Sequence, residues 1–407
     1  MNPLTFMLIA GEASGDALAA ELVAALRAKV VERESVFTND VQPLRTALAP
    51  RFFGAGGPKM AAAGVELALD LTRHSVIGVS DVLRKLGEFR RLLQELRALA
   101  IERQPDVIIG VDYGEFNLRF AKAIKAFVCQ HHSHFTPWNP KIVRFVSPQV
   151  WASRAGRARV LERTHDLVLS IFPFEKDWYA ARVPGLRVEF VGHPMVERFR
   201  AAQREAHGGP PAIPPAPSSP RVVFLPGSRW DEVRRHWPVV TGVFALLRRD
   251  LPGLSASLVL PSEVLAHSAQ KLDVPTGLNI QIGNVSAALA EADLAITKSG
   301  TITLECAFHG VPAVVFYKTS WPTYWIARRV VKVKHLAMPN LLAGEAVFPE
   351  FIQAAATPEN IARASLDLLG DAGRRQTVKA KLAEVVATLG PPGAARRAAE
   401  AIVRLLP

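Results

Sequence analysis

Cysteine is all but missing from this chain: 407 residues hold two, Cys129 and Cys306, far apart in sequence. They support no disulfide framework, and the usage fits a reducing compartment. Long apolar runs are missing too; no stretch approaches the ~18–20 residues that a bilayer-spanning helix needs. The opening MNPLTFMLIAGEASGD has no basic region ahead of its short apolar run, which gives way to acidic residues. It reads as a first β-strand, not as a secretory signal. Acidic residues are outnumbered, 37 against 49 Lys and Arg, leaving a formal net charge of +12. That balance asks for an anionic partner. Zinc-finger spacing, an RNP signature and aromatic–basic repeats are lacking, so no nucleic acid is expected; a phosphorylated small molecule or an anionic membrane surface remains. No Asp-x-Asp pair occurs, whereas a transferase working through a bound divalent cation usually needs such carboxylates to hold it.

What is present is globular: 49% of the residues are apolar, and the length suggests two domains. Strand-like runs at Thr5–Ile9, Arg51–Gly54, Asp106–Val111, Ile142–Val146, Leu167–Ile171 and Val188–Val191 alternate with helical patterns, notably Asp16–Arg27, Asp81–Arg103 and Glu115–Phe127. This alternation predicts a parallel sheet with crossover helices. Residues 208–220, GGPPAIPPAPSSP, carry six prolines in thirteen positions and read as a semi-rigid linker. The alternation then restarts, with strands expected at Val222–Leu225, Ala256–Leu260, Asn279–Gln281, Leu294–Thr297 and Ala313–Tyr317, and helices near Thr357–Leu369, Arg374–Leu389 and Gly393–Leu406.

The expected fold is α/β: two Rossmann-like, doubly wound domains, 1–207 and 221–370, facing an interdomain cleft of the kind that holds ligands. The helices at 371–407 are left open to pack on the first domain. Residues 31–50 and 129–140 show little pattern and read as insertions. The second, CQHHSHFTPWNP, gathers Cys129, His131, His132 and His134, but at no zinc-site spacing, and no metal is expected.

Four stretches carry chemistry. AGEASGD at 10–16 is a glycine-bearing loop between strand and helix, yet Glu12 and Asp16 make it acidic, and the G-x-G-x-x-G spacing is absent. VDYGEFN at 111–117 puts Asp112 at the carboxyl edge of a buried strand, followed by Glu115 and Asn117. Such a carboxylate can take a proton from a substrate hydroxyl or cap the next helix. In LPGSRWDEV, 225–233, small residues let an anion near the backbone, and Ser228 and Arg229 follow; Arg229 is a forked cation suited to a diphosphate, or a plain surface arginine. In SGTITLE, 299–305, Ser299, Gly300 and Thr301 open a helix that can take a phosphate, and Glu305 lies one turn on, in place to accept from ribose hydroxyls. The combination favours nucleotide binding by the second domain. HSVIGVSDVLRKLGEFRR (74–91) mixes Val76, Ile77, Val79, Val82, Leu83 and Leu86 with Arg84, Lys85, Arg90 and Arg91, and WPTYWIARRVVKVKH (321–335) is similar. Both suit an interfacial helix or an ordinary amphipathic one.

In order along nearly the whole chain, AGEASGD, GAGGPKMAAAGVE (54–66), VIGVSDVL (76–83), VDYGEFN, VSPQVWA (146–152), FPFE (172–175), VGHP (191–194), LPGSRWDEV, SGTITLE and MPNLLAGE (338–345) resemble the lipid-A-disaccharide synthase family, glycosyltransferases of the two-Rossmann-domain (GT-B) type. The resemblance implies transfer of 2,3-diacylglucosamine from its UDP donor to the 6-hydroxyl of 2,3-diacylglucosamine 1-phosphate, with inversion, release of UDP and no cofactor. It implies Asp112 as the base, Arg229 at the donor diphosphate, Glu305 at the ribose and Asn340 in a loop at the nucleotide. Glu12, Ser14 and Asp16 then face sugar hydroxyls or cap the following helix, beside Glu115 and Asn117. Gly114 stands where the family usually has proline, Gln149 where it has a small residue and Ser153 where tryptophan is common. The implied setting is cytoplasmic, peripheral on the inner membrane; a homodimer stays open. The rival reading within the fold is another UDP-N-acetylglucosamine enzyme, a 2-epimerase or a peptidoglycan-precursor transferase.

Overall fold

The computed structural model describes residues 3–37, 49–71, 82–135, 137–206 and 219–406. It divides into two compact units, Met1–Arg200 with Leu389–Pro407, and Ala201–Thr388. Most of the linker stretch 208–220, and all of 72–81, lie outside the described residues.

The first unit opens with β1 (Thr5–Ala10), α1 (Ala13–Phe37), β2 (Arg51–Gly56), α2 (Pro58–Ala62), β3 (Glu66–Asp70) and α3 (Val82–Arg103). It continues with β4 (Val107–Val111), α4 (Gly114–His131), β5 (Lys141–Phe145), α5 (Val150–Ser153) and α6 (Ala158–Thr164). Then come β6 (Leu167–Ser170), α7 (Pro173–Ala180), β7 (Val188–Phe190) and α8 (Met195–Ala206), whose last turn passes into the second unit. The seven strands are parallel, in the order β3-β2-β1-β4-β5-β6-β7. Helices cover both faces of such a sheet, so its central strands are apolar throughout; all five residues of β4, VIIGV, are buried.

The second unit repeats the plan with β8 (Arg221–Leu225), α9 (Trp230–Asp250), β9 (Ser255–Leu260), α10 (Glu263–Gln270), β10 (Leu278–Ile282) and α11 (Val285–Glu291). After them come β11 (Leu294–Lys298), α12 (Ile302–Phe308), β12 (Ala313–Tyr317), α13 (Trp321–Val330), α14 (Met338–Ala343), β13 (Glu350–Ile352), α15 (Pro358–Gly370) and α16 (Ala372–Thr388). Its parallel sheet runs β10-β9-β8-β11-β12-β13. α16 packs on α12 and α14, while the last helix, α17 (Ala394–Val403), packs on α1 in the first unit. The break therefore falls at Leu389, inside the stretch expected to form one set of terminal helices.

Two readings are corrected. Residues 31–37 are no insertion: they continue α1, which buries Leu22, Val23, Leu26 and Val30. Residues 129–131 likewise close α4, and His131 Nδ1 lies 2.9 Å from the Phe127 carbonyl oxygen, one turn back.

Strand order decides where ligands bind. In each sheet the order reverses between two neighbouring strands, β1 and β4 in the first and β8 and β11 in the second. A crevice opens beyond their carboxyl ends, because the helices leaving them go to opposite faces. AGEASGD and VDYGEFN leave β1 and β4; LPGSR and SGTITLE leave β8 and β11.

Candidate functional site

At the first switch point, β4 ends in a tight turn. Asp112 and Tyr113 both have φ of +49°, in the left-handed region that side chains seldom adopt. Asp112 is half-buried, and its N–H donates to the Phe145 carbonyl on β5 at 2.7 Å. The AGEASGD loop lies directly against this turn, which explains its glycines. A Cβ on Gly11 would come within 2.3 Å of the Tyr113 ring, and one on Gly15 within 3.4 Å of the Asp112 Cβ. The loop is built to meet the turn, leaving Glu12 and Ser14 exposed. Burial pushes the Tyr113 phenol up, and the negative charges of Glu12 and Glu88 add to it.

Two residues expected at substrate are corrected here. Asp16 is buried, and its carboxylate accepts from the N–H groups of Gly57 (2.9 Å), Met60 (3.0 Å) and Lys59 (3.0 Å). It therefore caps α2, satisfying the orphan donors of that helix start. Asn117 is buried too; its Nδ2 donates to the Asp112 carbonyl at 2.9 Å and the Ile9 carbonyl at 3.3 Å. It ties β1 to the strained turn. Glu115 stays partly exposed, paired with Arg119 at 2.9 Å and Arg157 at 2.6 Å. The hydrogen bond from Arg119 leads the effects holding its carboxyl below the usual range.

Beside this turn sits a residue that sequence reading missed. Arg144, on β5, is 2% exposed. Its Nε donates to the Val146 carbonyl at 3.1 Å, and Nη1 has no hydrogen-bond partner among the described residues. Burial lowers the guanidinium to about 10 against an opposing pull from Asp112, so it stays charged at neutral pH. An arginine in the apolar run KIVRFV was its only signal.

At the second switch point, a half-buried ion pair organises the loops. Glu232, in the first turn of α9, accepts from Lys298 Nζ at 2.9 Å through each oxygen and from the Ser228 N–H at 3.3 Å. Burial alone would raise the Glu232 carboxyl; Lys298, the Ser228 N–H and Arg229 together outweigh it, and the net shift is downward. The pair ties the LPGSR turn to the end of β11, and a Cβ on Gly227 would strike the Glu232 side chain at 2.7 Å. His236, fully buried, lies 2.6 Å through Nδ1 from the Pro226 carbonyl oxygen, and its Nε2 accepts from the Lys318 N–H at 3.1 Å. Ser228 and Arg229 stand exposed on this fixed turn, next to half-buried Ser299 and Gly300 and exposed Thr301. Glu305 is partly buried, which raises its carboxyl.

Asn340 is the third correction. It is fully buried; Nδ2 donates to Phe348 O and Glu350 Oε1, both at 2.8 Å, and Oδ1 accepts from the Phe348 N–H at 2.7 Å. Its amide holds the MPNLLAGE loop instead of facing a ligand. Glu350 also accepts from the Ala337 N–H at 2.9 Å, and the Met338 N–H donates to Thr303 Oγ1 at 3.1 Å. These contacts seat the loop against α12, the helix of Glu305. Lys298, Thr303 and Glu350 were missed because their partners lie far away in sequence.

Among the described residues no helix is long and apolar enough to cross a membrane. α13 contains no buried residue, and Trp321, Trp325 and Ile326 are at least half exposed.

The sequence model of the lipid-A-disaccharide synthetase family matches residues 6–403. A lipid-A-disaccharide synthase from Myxococcus xanthus is 37% identical over 413 aligned positions, covering 100% of this chain and 98% of that protein. Among solved structures, the calicheamicin glycosyltransferase aligns with a TM-score of 0.56 at 14% identity, covering 100% of this chain and 99% of its own. A UDP-GlcNAc 2-epimerase from Neisseria meningitidis, bound to UDP-GlcNAc, aligns with a TM-score of 0.54 at 11% identity, covering 100% and 99%. At such identities these two speak for the two-Rossmann-domain fold alone. With both sequence matches running nearly end to end and the motif loops at both switch points, the chain belongs to the lipid-A-disaccharide synthetase family.

Proposed function

We propose that this chain transfers 2,3-diacylglucosamine from its UDP donor to the 6-hydroxyl of 2,3-diacylglucosamine 1-phosphate, giving a β-linked disaccharide and UDP. Family membership carries the reaction, and the placement of its motif loops at both switch points carries the division of labour.

Asp112 acts as the base. A primary hydroxyl is a poor nucleophile until a positioned group removes its proton, and the 112–113 turn, braced by the glycine loop, supports this reading by holding the Asp112 backbone where β4 ends. Glu12 and Ser14, exposed on that loop, accept and donate to sugar hydroxyls, and Glu115 lies next in line. On the second unit, Arg229 meets the diphosphate as it leaves and gains charge; a forked guanidinium suits its oxygens. Ser228 and the Ser299–Thr301 turn supply further donors. Glu305 accepts from the ribose. Direct displacement on the α-linked donor inverts the anomeric centre.

Both substrates are lipids, and α13 offers a surface for them. Its exposed Trp321, Trp325 and Ile326 adjoin Arg328, Arg329, Lys332 and Lys334. Apolar side chains beside cations suit the boundary of an anionic bilayer, here the cytoplasmic face of the inner membrane. Of the other stretch expected there, 74–91, residues 74–81 lie outside the described residues and 82–91 open α3.

The test is incubation of the purified chain with UDP-2,3-diacylglucosamine and 2,3-diacylglucosamine 1-phosphate, with mass spectrometry of the lipid product. A disaccharide 1-phosphate with UDP release is expected. No lipid product here, with epimerisation of UDP-N-acetylglucosamine in a parallel incubation, would favour the epimerase reading.

A further inference from the structure

Next to the 112–113 turn the first unit holds a cavity of about 60 Å³, and of its lining only Glu115 enters the mechanism above. Gly114, Glu115, Arg144, Arg157 and His165 are among its lining residues. A single water needs roughly 10–15 Å³ by such a measure, so there is room for a tetrahedral group of a few heavy atoms.

Three features give the cavity an anionic preference. Arg144 is a buried cation whose Nη1 lacks a partner among the described residues. Leaving a charged donor unsatisfied in the interior costs more than any ordinary hydrogen bond returns. Next, α4 begins at Gly114, and the first N–H groups of an 18-residue helix find no acceptor within it. Tyr113, at the N-cap, gives them no side-chain cap. Gly114 brings this helix start close to the cation: a Cβ there would stand 3.9 Å from Arg144 Nη2, at ordinary contact distance. Third, Arg157 is a second cation on the rim, its side chain 33% exposed and one nitrogen paired with Glu115 at 2.6 Å, leaving its other N–H groups as donors. Glu115 is already shared between Arg157 and Arg119, and His165, which burial lowers to about 3, is neutral.

We propose that this cavity is a phosphate subsite for the acceptor, with Arg144 Nη1, the first-turn amides of α4 and Arg157 as its donors. This rests on the functional reading above. The acceptor carries its reacting 6-hydroxyl and its 1-phosphate on one sugar, so the phosphate must bind within a single ring's reach of the base. The cavity starts at Gly114, two residues past Asp112. Arg144 thus selects the phosphorylated acceptor over the same lipid without phosphate, and it orients the ring with the 6-hydroxyl toward Asp112.

The experiment measures transfer to 2,3-diacylglucosamine 1-phosphate and to its dephosphorylated form by the full chain and by Arg144→Gln, Arg144→Lys and Arg157→Ala. The KM for the phosphorylated acceptor should rise at least tenfold in Arg144→Gln and severalfold in Arg157→Ala. Arg144→Lys, keeping the charge, should recover part of the loss. The KM for the UDP donor should not move, and the dephosphorylated lipid should serve all forms equally. Inorganic phosphate should compete with the phosphorylated acceptor in wild type and not in Arg144→Gln. Competition by phosphate without any preference between acceptors would mark a site for free anion and overturn the assignment. If Arg144→Gln does not fold, Arg157→Ala decides, and an unchanged ratio of acceptor KM values overturns the subsite. If wild type makes no disaccharide from either lipid, the functional reading fails; calorimetry with glucosamine 1-phosphate against glucosamine then tests the cavity alone, and equal binding of the two rejects it.

Discussion

If Asp112 is the base and Arg229 the diphosphate contact, as proposed, the two roles fall on two different sheets, and single substitutions should separate proton transfer from donor binding. Asp112→Asn keeps the size of the side chain and cannot take a proton at neutral pH. Transfer should fall by roughly 10²–10⁴, the worth of a positioned base, while calorimetry reports UDP affinity near that of wild type. Near-normal turnover would remove Asp112 from the role, with Glu12 and Glu115 next to be tried. Arg229→Ala should reduce donor turnover on the order of 10²–10³, as for other contacts that strengthen with developing charge. Unchanged rates at both limiting and saturating donor would reject the diphosphate contact. Glu305→Gln should act differently. A ribose contact persists from ground state to transition state, so KM for the donor rises more than turnover falls. A pure turnover effect would move Glu305 into the chemistry itself.

α13 shows how far an element's pattern can be read before its surroundings are known. Its sequence suits either a core helix or an interfacial one, and only the absence of any buried residue on it favours the second. Trp325→Asp with Ile326→Asp should weaken sedimentation with anionic vesicles and leave the melting temperature unchanged, as expected for side chains that pack on no core. A large drop in melting temperature would instead place them inside the fold. Elsewhere, legibility followed burial. The central strands were plain from their continuous apolar runs, and Ala313–Tyr317 was read with its observed bounds. β3 and β13 were missed: ELALD and EFI are short edge strands without a fully buried residue, and nothing local marks them. Glu12, Ser228 and Arg229, expected at substrate, do stand exposed on the switch-point loops. The site was misread where a polar side chain turns inward to hold a loop, as at Asp16, Asn117 and Asn340. Whether a carboxylate or amide meets a ligand or a backbone N–H depends on which chain segment crosses it, and that segment is remote in sequence.

At the scale of the whole molecule, three buried titratable groups of the first unit make its stability depend on pH from both sides. Glu175, at the third position of α7, is fully buried and accepts from Trp151 Nε1 at 2.8 Å. Burial pushes its carboxyl up to about 7. A raised carboxyl favours the neutral form on folding, so its contribution is complete below the unfolded value near 4.5 and is lost as pH rises through 7. The gap between 4.5 and about 7 makes that loss about 3 kcal/mol by pH 8. His165 and His193 work in the opposite sense. Burial lowers them to about 3 and about 4, so their stabilisation is present above the unfolded value near 6.5 and fades as pH falls below it. Glu175→Gln removes one arm of this balance and keeps an acceptor for Trp151. The melting temperature of this variant, relative to wild type, should climb by several degrees between pH 5 and pH 8. The acid limb, set by the two histidines, should stay where it was. Parallel melting curves across that range would mean that Glu175 is ionised in the folded chain throughout, with its charge held by the Trp151 and Phe172 N–H groups.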